Sequence, residues 1–124
     1  MPHYFTREEA NDLLVELRPV VAEIMQTHEA LARRLPEAWP AISQAANNSG
    51  SRAASLLVFE FEYLQKLLHQ VQDQGVLVKD LKTGLLDFPS LRDGREVYLC
   101  WRYGEDQVDF WHDVDAGFVG RQSL

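Results

Sequence analysis

"GVLVKDLKTGLLDFPSLRDGREVYLCWRYGE", residues 75–105, is where this chain changes its hydrophobic period. Within "REVYLCWRY" the alternation is clear. Val97, Leu99, Trp101 and Tyr103 fall on one side, and Glu96, Tyr98, Cys100 and Arg102 on the other. A period of two is the mark of a strand with one buried face. Lys82-Thr83-Gly84 separates two strand-like runs, "VLVKDL" and "LLDF", with a glycine available for a left-handed turn position. Asp93-Gly94 is a second turn, and Gly104-Glu105-Asp106 returns the chain into "QVDFWH". There Val108, Phe110 and His112 share one side, and Gln107, Asp109 and Trp111 the other. The expectation is a small four-stranded antiparallel meander followed by an irregular tail.

Upstream of Gly75 the period is helical. "YFTREEA" is a helix start: Thr6 caps, Glu9 completes a capping box, and Phe5 and Ala10 are placed as a weak staple. Leu14, Leu17, Val21, Ile24, His28, Leu31 and Leu35 then recur in alternating steps of three and four, a heptad seam. A helix from Thr6 to Leu35 is about 45 Å long at 1.5 Å per residue, and Pro19 predicts a kink in it. Pro36, Pro40 and the Asn47-Asn48-Ser49-Gly50 run predict a connector over 36–50. A second seam, Ala54, Leu57, Phe61, Leu64, Leu68 and Val71, predicts a helix from Ser51 to Gln74, ended by Gly75. Leu56, Tyr63 and Leu67 widen its stripe beyond what one partner helix covers. The reading is therefore α+β. A long antiparallel helical hairpin over 1–75 and a sheet with tail over 76–124 make a single domain of 124 residues.

Composition narrows the functions. The chain is 46% apolar and 25% charged, enough for a packed core. Its net charge of −7, spread over both halves, lacks the basic footprint that a phosphate backbone requires, so nucleic acid is disfavoured. No apolar run approaches the ~18 residues of a membrane span. "MPHYFTREEAND" carries no basic-then-apolar leader pattern. One cysteine, Cys100, excludes an internal disulfide, and the expected location is the cytoplasm.

"YFTREEAN", "LRP" at 17–19, "DFP" at 87–89, "LCW" at 99–101, "FWH" at 110–112 and "GFVGRQ" at 117–122 occur in an order and spacing that resemble an uncharacterised prokaryotic family, domain of unknown function 2203. The resemblance covers essentially the whole chain. It implies that 76–122 is the family's most recognisable part, and it carries over no substrate and no cofactor.

The residues themselves offer two kinds of function. The wide seams favour a protein-interaction or oligomerisation module, a homodimer or a protein partner held through the helices, with Trp39 as an exposed anchor. The alternative is a small-molecule or anion site, or a hydrolytic one, at the C-terminal sheet, with or without a metal. In that reading His112 is the acid–base and Glu105 orients it. Arg102 and Arg121 clamp an anion, the latter within the Gly117 and Gly120 tail, and Trp111 lines the site. The bland reading of the same residues is that the arginines pair with neighbouring carboxylates. For metal, Asp87, Cys100, Glu105, Asp109, His112 and Asp113 are able ligands. No CxxC or HExxH spacing supports them, and the alternation sets Cys100 and His112 on different faces, so no metal is assigned.

Overall fold

A computed structural model describes residues 3–44 and 52–124 of the chain. Helix α1 spans Arg7–Gln44 and helix α2 spans Arg52–Gln72. Five strands follow: β1 (Leu77–Asp80), β2 (Leu85–Arg92), β3 (Arg95–Arg102), β4 (Phe110–Asp113) and β5 (Gln122–Ser123). All neighbours are antiparallel, and the sheet order is the chain order. The α+β expectation holds, with two revisions.

The first concerns the connector. Residues 36–44 are helical, so α1 continues past Leu35 to Gln44 and carries Pro19, Pro36 and Pro40 inside it. All three prolines lie on the exposed side. Each removes one backbone hydrogen bond. For Pro19 the carbonyl released is that of Val15, itself an exposed residue. The rest of the expected connector, 45–50, and Ser51 lie outside the described residues.

The second concerns strand number and extent. β2 continues through Pro89 to Arg92, and the tail supplies β5 against β4. β1 pairs only with Leu85, Leu86 and Asp87, so β2 is an edge strand at Pro89, where a missing N–H is harmless. The carbonyl of Pro89 accepts from Phe5 N at 2.7 Å, and Ser90 Oγ donates to Phe5 O at 2.5 Å. Those bonds tie the chain's start to the sheet.

Local chemistry sets the turns and caps as expected. Thr6 Oγ1 accepts from Glu9 N at 3.0 Å while Glu9 Oε1 accepts from Thr6 N at 2.9 Å, a closed capping box. Asp93 and Gly94 both have positive φ, 54° and 76°, which suits the two-residue turn between β2 and β3. Gly84, at φ 68°, is tighter still. A Cβ there would stand 2.7 Å from Met25 Sδ, 2.8 Å from Tyr103 Cβ and 2.9 Å from Val21 Cγ1.

One face of the sheet meets the helices. Leu86, Phe88, Val97, Leu99, Trp101 and Trp111 form one buried cluster with Ala10, Leu14, Leu17, Val21 and Ile24 of α1 and Leu64, Leu67 and Val71 of α2. Asn11 clamps the segment before β4, accepting from Val108 N at 2.6 Å. Beyond Ile24 only Met25 and Leu31 of α1 still pack against this cluster, and α1 is tied to α2 by the pairing of Arg34 with Glu60 and by Tyr63, which donates to Glu23.

Candidate functional site

The register decides which polar residues meet. Asp87 pairs with Cys100 across β2 and β3, and Tyr98 pairs with His112 across β3 and β4. Tyr98 and Cys100 are two apart, so all four side chains share the sheet face turned away from the helices. The expectation that Cys100 and His112 lie on opposite faces is therefore corrected. The alternation along β3 holds, but Val108, expected on one side with Phe110 and His112, lies in the core with Trp111. Trp111 is the core residue of β4, and Phe110 and His112 point outward beside Tyr98 and Cys100. Val108 precedes β4 and reaches the core independently of that strand's alternation.

On this outer face Asp87, Cys100 and His112 are all at most 2% exposed. Their ligand atoms lie within 4.8 Å of one another. His112 Nε2 is 2.9 Å from Asp87 Oδ1, and Nδ1 is 2.8 Å from the carbonyl of Asp113. That carbonyl only accepts, so Nδ1 carries a hydrogen. One further proton is shared between Nε2 and Oδ1. Burial pushes the Cys100 thiol up to about 12, helped by the charge of Asp87, to whose carboxylate the thiol is hydrogen-bonded. A thiol so placed is a poor nucleophile.

Glu105, expected to orient His112, holds Arg121 instead. Arg121 Nη2 donates to Glu105 Oε1 and Oε2 at 2.8 and 2.9 Å. Glu105 Oε1 also accepts from Arg102 N at 2.7 Å, so the turn after β3 fixes the carboxylate. The Arg121 guanidinium lies 4.0 Å from the Phe110 ring centre and 4.7 Å from that of Phe118. The exposed Arg102 approaches Phe118 at 5.2 Å. Arg102 and Arg121 are thus brought to one ring, with Arg121 already ion-paired. Trp111 is 7% exposed in the core, on the other side of the sheet from His112, with Arg92 4.6 Å from its ring centre. The partner of His112 that sequence reasoning missed is Asp87. Its signal was a lone carboxylate between Leu86 and Phe88 in an otherwise apolar run.

A second surface lies between the helices. His28, Leu31, Ala32 and Leu35 of α1 face Leu57, Val58, Phe61 and Leu64 of α2, with Leu81 at the end, around a groove of about 690 Å³. Phe61 is 54% exposed, Val58 57% and Leu35 50%. Trp39, 59% exposed, continues the row 28, 32, 35 along the same helical face. No helix of the described residues is long and apolar enough to cross a membrane.

The sequence pattern of the family described as "Uncharacterized conserved protein (DUF2203)" matches residues 3–124. No curated protein and no solved structure matches the chain.

Proposed function

The chain belongs to the DUF2203 family of uncharacterized conserved proteins, and from that premise we propose that it is an interaction module that pairs with a second copy of itself through its helices. One observation carries this reading. The groove between α1 and α2 is apolar and open, although Leu14, Leu17, Val21 and Ile24 of the first seam and Leu64 and Val71 of the second are buried in the chain's own core. Monomeric proteins rarely leave a contiguous apolar surface of this kind uncovered.

The choice of a second copy rests on what stands beside the groove. Trp39 projects from the same face of α1 that lines it. Knob and hole therefore lie on one surface, as a two-fold, self-complementary contact requires. In this arrangement Trp39 of each copy enters the groove of the other, with Leu35, Val58 and Phe61 covered around it. Burial of apolar area contributes roughly 25 cal/mol per Å².

We read α1 and α2 as an antiparallel hairpin. The chain is read as one domain, because α1 shares its core with both α2 and the sheet. The single buried thiol Cys100 suits a reducing cytoplasm. Anion binding or hydrolysis at the C-terminal sheet has less behind it. Arg121 is neutralised by Glu105, and His112 is closed off from solvent.

Static light scattering on the full chain over a range of concentrations tests the proposal. A dimer that dissociates on dilution supports it. A mass of one chain up to high micromolar concentration rejects it.

A further inference from the structure

We propose that Asp87, Cys100 and His112 form a binding site for one divalent transition-metal ion of the zinc type. The site belongs to the outer face of the sheet and is independent of the helical groove.

Three strands supply one donor each, and the register fixes them side by side. Tetrahedral zinc, with bonds of about 2.0–2.3 Å, sets its ligand atoms roughly 3.3–3.8 Å apart. The three donor atoms here already lie within 4.8 Å of one another. Small side-chain rotations suffice, opening the 2.9 Å contact of His112 with Asp87 and closing the longest separation.

The histidine is prepared for the role. Its Nδ1 hydrogen is engaged by the Asp113 carbonyl at 2.8 Å, which leaves Nε2 to face the cluster. Metal-bound histidines are oriented in this way, with the second ring nitrogen donating to a carbonyl or carboxylate. The donor set also selects the ion. Thiolate and imidazole beside one carboxylate suit zinc or cobalt, whereas magnesium and calcium take oxygen ligands.

Charge closes the argument. The carboxylate and thiolate together carry two negative charges, which a dication cancels in a place closed to water. Binding displaces two protons to solvent: the one on Cys100 Sγ and the one shared by Asp87 and His112. The second carboxylate oxygen of Asp87 fills the fourth position. Packing alone gives no reason for this trio, since apolar residues of similar volume commonly replace buried ion pairs without loss of stability.

Cobalt(II) and zinc(II) titrations of the chelator-treated full chain provide the test. The expected result is one cobalt per chain, tetrahedral visible bands and a thiolate-to-cobalt charge-transfer band, all displaced by zinc, with zinc raising Tm. Cys100→Ser loses the charge-transfer band and binds cobalt at least tenfold more weakly. Asp87→Asn, close in shape and still able to hydrogen-bond, also weakens binding tenfold or more while the far-ultraviolet dichroism stays native. The proposal is overturned if the wild-type chain gives no cobalt spectrum. It is equally overturned if binding survives both substitutions, or if cobalt binds without a thiolate-to-cobalt charge-transfer band.

Discussion

At His112 the sequence showed the residue and hid its partner. A histidine at a strand end among carboxylates is legible as chemistry, but seven carboxylates lie closer in sequence than Asp87. Which one it meets depends on register between strands, and alternation within a strand does not encode that. Glu105 was drawn away by the turn after β3, whose backbone amide it accepts. The Asp87–His112 contact is buried on both sides, so removing one member leaves the other uncompensated. Asp87→Ala is expected to destabilise the metal-free chain by about 3–5 kcal/mol, measured by urea unfolding; a loss under about 1 kcal/mol would show that the pair contributes little.

Cys100 gives a prediction in pH. Its folded pKa, about 12, lies above the ordinary 9.0, chiefly because burial disfavours the thiolate. A raised pKa means that the neutral thiol stabilises the fold. That contribution is complete below pH 9.0 and is lost as pH rises toward about 12. The urea midpoint is therefore expected to fall over that window and to fall less in Cys100→Ala. At pH 8 the native chain should alkylate far more slowly than the denatured one. Equal labelling rates would contradict the buried placement.

Among the elements, those with strong local chemistry were the legible ones. The capping box at Thr6 and Glu9 and the turns at Gly84 and Asp93-Gly94 all form where the residues predict. The extension of α1 through Pro36 and Pro40 was not legible, because proline chemistry argues locally for a break. The structure keeps the helix with its prolines on the exposed side. β5 was equally hidden, since two residues are too few to show a period. At Gly84 positive φ and crowding act together. Gly84→Ala is expected to cost well over 1 kcal/mol, more than the entropy it saves. Gly94→Ala, with nothing within 4 Å of its added carbon, carries the backbone strain alone and should cost less. Thermal unfolding of the two variants compares them directly.

Over the whole molecule, the change of period at Gly75 was enough to give α+β, and the heptad seams gave helices with apolar surface to spare. The seams did not reveal where that surface remains uncovered. The core buries α1 fully as far as Ile24, with Met25 and Leu31 at its edge, and the part beyond them lies along α2. The groove arises from that mismatch in length. Sedimentation equilibrium of the wild-type chain beside Phe61→Glu tests the self-association most directly. Wild type is predicted to approach twice the chain mass of 14.2 kDa at high concentration, while Phe61→Glu, its charge set in the groove, stays at one chain mass with native dichroism. A wild-type chain that remains at 14.2 kDa, or a Phe61→Glu variant that pairs as well as wild type, would contradict the account.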